Sequence, residues 1–227
     1  MKRAPWFVTA SGTGAGKTTF TALLARFLRQ QGHRVAALKP ICSGGRADAR
    51  ELAAALGGQL TLDEINPWHF RAPIAPVLAA RREHQPVSRD QILRHIRPWQ
   101  KRFDWVLVEG AGGLLSPLGE ATDSRDLIAA LRARPIIVAP NRLGVINDLR
   151  LTLAALPAAA RAQAAIVLMS PALADAATPT NAALLAEYFD ARRSFRLPWL
   201  GQPIDWAAAL RPARVRQTLH GIIGLGD

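Results

Sequence analysis

Apolar residues fall along this chain in two alternating patterns, short unbroken runs and longer stretches with a helical repeat. Residues 6–10 form the first run and read as a strand buried on both faces. Phe20, Leu23, Leu24, Phe27 and Leu28 follow at i, i+3, i+4, i+7 and i+8, one stripe of a helix that starts near Lys17 and ends near Gly32. Residues 34–38, 104–109, 135–139 and 163–169 predict further central strands, and 196–201 a short final one. Helices are expected over 47–56, 74–82, 145–156, 181–191 and, broken at Pro212, 206–223. Another begins after Ser88, with Gln91 completing a capping box and Pro98 bending or ending it. Residues 41–45 read as a loop, and 66–76 as a structured loop rich in proline and aromatics. Strands alternating with helices predict an α/β fold, a mainly parallel sheet with helices on both faces and right-handed crossovers. No repeat, linker or low-complexity stretch interrupts this order, so a single domain over residues 1–227 is expected.

Composition narrows the class. Of 227 residues, 49% are hydrophobic and 20% charged, which suits a globular chain with a substantial core. No apolar run has the length to span a bilayer, and the N-terminus lacks a signal peptide's apolar core. The single cysteine, Cys42, cannot form an internal disulfide. These features lead to an expectation of cytoplasmic residence. A net charge of +12 raises the question of nucleic acid. The cations are scattered singly, however, with arginine far in excess of lysine, which occurs only at positions 2, 17, 39 and 101. The expectation is therefore a solvated basic surface that attracts anionic substrates, with neither nucleic acid nor membrane as partner.

Candidate chemistry concentrates between the first strand and the first helix, where Ala10-Ser11-Gly12-Thr13-Gly14-Ala15-Gly16-Lys17-Thr18-Thr19 stands. Glycines here let successive N–H groups point inward, and the helix N-terminus adds its positive dipole end, which makes a phosphate-binding loop of the P-loop NTPase type. Lys17 is then the lysine that reaches the β/γ-phosphates, and Thr18 the hydroxyl for Mg²⁺. Ser11 stands where the general signature has glycine. Lys39, before Pro40, ends a second strand, and Glu109, before Gly110-Ala111-Gly112-Gly113, ends a third. In open α/β sheets ligands bind at that edge. Glu109 suits the second metal-side carboxylate of a nucleotide-hydrolysing or phosphotransferring site; alone it is also compatible with a solvent-facing strand end. Asp48 is another carboxylate candidate, or simply an acid favourable at a helix N-terminus. Lys39 is compatible with a solvent-facing strand cap; read as a second cation beside Lys17, it points to a phosphoryl acceptor that is itself an anion.

These stretches, with Lys39-Pro40-Ile41-Cys42-Ser43-Gly44, Asp48-Ala49, Ile65-Asn66-Pro67-Trp68-His69-Phe70 and Leu143-Gly144-Val145-Ile146-Asn147, resemble the ATP-dependent dethiobiotin synthetase family in order and spacing over residues 4–156. A weaker echo is Pro198-Trp199-Leu200-Gly201. The resemblance implies a ligase of biotin synthesis. In that reaction 7,8-diaminononanoate takes up CO₂ as a carbamate, ATP phosphorylates the carbamate, and the second amine closes the ureido ring. It implies nucleotide binding by Gly12, Gly14, Ala15, Gly16, Lys17, Thr18, Thr19 and Glu109, with Lys17, Lys39, Thr13 and Ser43 around carbamate and transferring phosphate. Thr18, Asp48 and Glu109 would organise Mg²⁺. Ser43, Gly112, Gly113, Leu143, Gly144 and Asn147 would meet the substrate, the last three from the other subunit of a homodimer.

The chain departs from the family pattern at several places. Ala10 and Ser11 replace a common Gly-Thr, Met169-Ser170 stands where Asn-Asp often reads adenine, and Val77 and Asp148 occupy positions where histidine is frequent. Two other readings remain open. One is a nucleotide switch of the chromosome-partition or septum-placement type, although its signature lysine is replaced here by Gly12. The other is a homologue that binds nucleotide without making dethiobiotin. A cobyrinic-acid amidating enzyme shares the domain type but needs a glutaminase domain for which the chain has no room.

Overall fold

The structure is a computed structural model and describes residues 3–226; Met1, Lys2 and Asp227 of the expected 1–227 unit lie outside the described residues. In chain order the first part runs β1 (Trp6–Ala10), α1 (Lys17–Gln30), β2 (Val35–Leu38), β3 (Ile41–Ser43), α2 (Ala47–Ala55), α3 (Leu62–Ile65) and β4 (Trp68–Phe70). Next come α4 (Pro76–Arg82), α5 (Arg89–Ile96), α6 (Trp99–Arg102), β5 (Trp105–Glu109), α7 (Ser124–Leu131) and β6 (Arg134–Pro140). The last part is α8 (Val145–Ala155), α9 (Ala158–Gln163), β7 (Ala165–Met169), α10 (Asn181–Ala186), β8 (Ser194–Leu197), α11 (Trp206–Ala209) and α12 (Ala213–Gly224).

Six strands form one parallel sheet in the order β2-β5-β1-β6-β7-β8. The predicted α/β architecture is thus present. Apart from Thr9 and the terminal Glu109, β1, β2 and β5 are apolar because helices cover both faces, and all three strands are fully buried. All five stripe residues of α1 are buried against this sheet. The strand order has a direct consequence for chemistry. Because β5 inserts between β2 and β1, the chain ends of these three strands lie side by side, bringing the loop after Ala10, Lys39 and Glu109 to one edge.

Several local expectations need correction. Residues 41–45 contain β3, which pairs in parallel with β4 inside the presumed loop 66–76. Three-residue strands carry too few positions to show a period, and tertiary pairing makes them. Buried Asn66 braces this ribbon, its side-chain amide donating to the carbonyls of Lys39 at 2.7 Å and Trp68 at 3.2 Å. The helix expected over 181–191 ends at Ala186, and a 3₁₀ turn, Ala191–Arg193, starts from an Asp190 cap. The apolar pattern predicts no helix where α7 stands, although Asp123 and Asp126 form a reciprocal capping box at its start. Helix α9 begins directly after Pro157 in a run too alanine-rich to show a face. The Ser88–Gln91 capping box is present as expected.

Where β2 and β5 begin, Asp104 accepts from the Arg34 backbone N–H at 2.9 Å and from its guanidinium at 2.7 Å. The Arg34 side chain, then its backbone N–H, holds the Asp104 carboxyl down at about 2. The folded value lies below the unfolded one, so this contribution is complete above about pH 4 and disappears as pH falls through about 2. Asp104→Asn is expected to lower the melting temperature slightly at neutral pH, since both partners face solvent. The difference from wild type should close on acidification; a constant difference down to pH 2 would contradict it.

Candidate active site

The loop after β1 curls through Gly14 and Gly16, both at positive φ, +73° and +91°, where a side chain would be strained. Gly16 is the N-cap of α1 and has no side-chain cap, so the first N–H groups of α1 are directed at the loop's hollow. The hollow opens into a cavity of about 780 Å³ lined by the loop, Lys39, Ser43, Asp48 and the Pro73–Pro76 segment. Thr13, Gly14, Ala15, Gly16, Lys17, Thr18 and Thr19 all line it. Gly12 and Gly113 line instead an adjoining cavity of about 520 Å³, which Thr13 also borders.

Beneath the cavity floor lies a cluster of charges. Lys39 Nζ sits 2.7 Å from Glu109 Oε1, 2.8 Å from Asp48 Oδ2 and 3.1 Å from the Gly110 carbonyl. Three acceptors use all three N–H groups of the ammonium. The Lys39 and Glu109 side chains are 3% and 0% exposed, whereas Asp48 is 47% exposed and is the partner able to turn away. Thr18 Oγ1 donates to the same Glu109 Oε1 at 2.7 Å. Asp48 also stands in the first turn of α2, the position expected of an acid favourable at a helix N-terminus.

The two lysines are shifted in opposite directions. Burial, with the nearby Lys39 charge, pulls the Lys17 ammonium down to about 8. Burial alone would lower Lys39 too, but Glu109 and Asp48 outweigh it and hold its proton firmly. For Asp48 burial pushes upward, and Lys39, followed by Thr18, brings the carboxyl below its ordinary range. Lys17 meanwhile donates to the Gly12 carbonyl at a long 3.3 Å, a contact that an arriving phosphate can replace.

A divalent cation fits the donor set. Glu109 Oε2 is buried with no hydrogen-bond partner among the described residues, and Thr18 and Asp48 supply further oxygens at the cavity. Among the described residues no three His, Cys, Asp or Glu side chains gather into a metal cluster. One hydroxyl and two carboxylates completed by water and phosphate oxygens are characteristic of Mg²⁺.

Other expected residues are placed differently. The Ser43 hydroxyl lines the cavity but donates to the Ile74 carbonyl. Leu143, Gly144 and Asn147 are exposed at the start of α8 and do not line the main cavity. The Leu143 N–H already donates to Asp175 at 2.7 Å. Ser116 and Pro117, which also line the cavity, had no sequence signal beyond following the glycine turn. Among the described residues no helix is long and apolar enough to cross a membrane.

A family model described as an AAA domain matches residues 5–205. The ATP-dependent dethiobiotin synthetase BioD of Anaeromyxobacter dehalogenans (strain 2CP-C) is 39% identical over 198 residues, covering 85% of this chain and 89% of the relative. The protein of the same name from Methanocaldococcus jannaschii is 35% identical over 150 residues, 64% of this chain and 70% of the relative. Among solved structures, the MinC:MinD cell division protein complex of Aquifex aeolicus aligns with a TM-score of 0.60 at 14% identity, over 97% of this chain and 96% of that one. The structure of pNOB8 ParA bound to nonspecific DNA aligns at 0.59 and 12%, over 98% of both. At such identities the structural likeness shows the fold alone.

Lys17 provides a measurable consequence of the geometry. Its folded value lies below the unfolded one, so the unfolded chain binds more protons between about pH 8 and about pH 10.4, and the ligand-free protein gains stability from this group across that window. A bound triphosphate restores the charge. Calorimetry at pH 9 in buffers of different ionisation enthalpy should show net proton uptake on nucleotide binding, and Lys17→Gln should abolish it. Binding without uptake would contradict the assignment.

Proposed function

The chain belongs to the ATP-dependent dethiobiotin synthetase family, and from that premise we propose that it carboxylates 7,8-diaminononanoate with CO₂ and closes the ureido ring at the expense of ATP. This makes it an ATP-dependent cyclo-ligase of biotin biosynthesis, working on small-molecule substrates. The observation that supports the reading best is the paired cations: Lys17 on the phosphate loop and Lys39 on the buried carboxylates border one cavity. A second cation beside Lys17 would stabilise an acceptor that is itself an anion.

In this reading the loop N–H groups and Lys17 receive the triphosphate, with Thr19 completing the loop. Thr18, Asp48 and Glu109 hold Mg²⁺, which when bound neutralises phosphate charge during transfer. Asp48 is half exposed, and by turning from Lys39 towards the nucleotide it would free one ammonium N–H for the carbamate. Thr13 and the lone pairs of Ser43 position the same group. Phosphoryl transfer asks little covalent help, so alignment and charge stabilisation carry the rate. Gly112 and Gly113 would meet the substrate through their backbone.

The exposed Leu143, Gly144 and Asn147 fit a role in the neighbouring subunit's site, so the working form is read as a homodimer. Asp148, in the first turn of α8, then sits near the substrate carboxylate. Residues 1–227 act as one cytoplasmic domain, with no nucleic acid or membrane partner. Met169 packs against Gly16, within 3.3 Å of where a Cβ would stand. In the resembling family this position often carries a polar reader of adenine, so base preference is expected to be set by shape here.

Incubation with the diamine, bicarbonate, Mg²⁺ and ATP tests this. Phosphate release should depend on the diamine and match ring formation mole for mole by mass spectrometry. Hydrolysis independent of the diamine, or stimulated by DNA, would overturn the reading in favour of a nucleotide switch.

A further inference from the structure

The turn after β5 carries a hydroxyl in an unusual position. The Gly113 N–H donates to Ser116 Oγ at 2.8 Å, and the Ser116 N–H donates back to the Gly113 carbonyl at 3.2 Å, closing the turn. Gly112 stands at φ +68°, and a Cβ there would fall 2.3 Å from Ser116 Oγ and 3.8 Å from Thr13 Oγ1. The two hydroxyls thus flank Gly112 across the glycine turn and the phosphate loop. Thr13, Ser116 and Pro117 border both the charged cavity and its neighbour, whose far wall is Leu151, Thr152 and Ala155. Ser116 is half-buried, and among the described residues its hydroxyl proton has no acceptor. Accepting the Gly113 N–H polarises that O–H and makes it a stronger donor. A rigid, unspent donor at this junction is arranged for a ligand oxygen.

We propose that Ser116 is a further catalytic residue of ring closure, donating its O–H to the carbonyl oxygen of the phosphorylated carbamate; the inference rests on the reaction assigned above. In that step the free amine attacks the carbonyl carbon of the carbamic-phosphoric anhydride and a C–N bond forms. The carbonyl pair moves onto the oxygen facing Ser116. It then returns as the C–O bond to phosphate breaks, phosphate leaving with the bonding pair and the amine's proton. Ser116 keeps its own proton throughout and stabilises the transient charge, the role of a preorganised donor in acyl transfer.

Ser116→Ala and Ser116→Thr test it, with ring product and phosphate measured together, nucleotide affinity by calorimetry and folding by thermal melt. For Ser116→Ala the expectation is ring closure slower by about 100-fold and more than one phosphate released per ring, because the stranded anhydride is hydrolysed. Nucleotide affinity and melting temperature stay at wild-type values, and Ser116→Thr restores both rate and coupling. The proposal is overturned if Ser116→Ala keeps near wild-type rate and one-to-one coupling. It is equally overturned if rate, nucleotide affinity and melting temperature fall together, which makes Ser116 only a brace for the turn. A wild-type protein that forms no ring overturns the assigned reaction itself, whatever the variants do.

Discussion

The buried ion pair between Lys39 and Glu109 is the constraint around which the site is built. Taking both charges out of water costs several kcal/mol per ion, and an apolar pair of similar size would stabilise the sheet edge at least as well. The expense is met locally. Glu109 and Asp48 use two of the ammonium's N–H groups and the Gly110 carbonyl the third. The Asn66 amide fixes the Lys39 carbonyl, and therefore the point where the chain leaves β2. The pair exists because the insertion of β5 between β2 and β1 places the ends of both strands next to the phosphate loop.

The division of labour proposed for the two lysines rests on this pair. Lys39 is kept charged by Glu109, fully buried, and by the more exposed Asp48, whereas Lys17 is depressed to about 8 by burial and by Lys39 itself. Lys17 loses its proton more readily than an ordinary lysine as pH rises through about 8, whereas Lys39 keeps its own, which suits the proposed assignment of Lys17 to the nucleotide and Lys39 to a second anion. Glu109 links the two functions, since Oε1 serves both Thr18 and Lys39 while Oε2 is left without a protein partner.

Much of this was legible in the sequence because each part sits at a punctuation mark. The glycines around Lys17, the proline after Lys39 and the glycines after Glu109 end apolar runs, and a parallel sheet turns such ends into one edge. What escaped is what depends on tertiary pairing. β3 and β4 are too short to show a period, and α7 begins with an acid-acid capping box that resembles an ordinary polar loop. Lys39 was readable as a cation but not as one with every donor occupied. Ser116 has no motif of its own; only the folding of Gly113 onto its oxygen distinguishes it. Leu143, Gly144 and Asn147 were readable only through likeness to a family, and within one chain they stand apart from the cavity.

In the proposed reaction Lys39 serves the phosphoryl acceptor and Lys17 the nucleotide. Lys39→Gln tests it most directly, through ring-closure rate and nucleotide affinity measured on the same preparation after a melt confirms folding. The expected result is a loss of ring closure on the order of 10²–10³-fold with nucleotide affinity changed by less than about threefold, below 1 kcal/mol. Equal losses of rate and affinity would assign Lys39 to the nucleotide and contradict it.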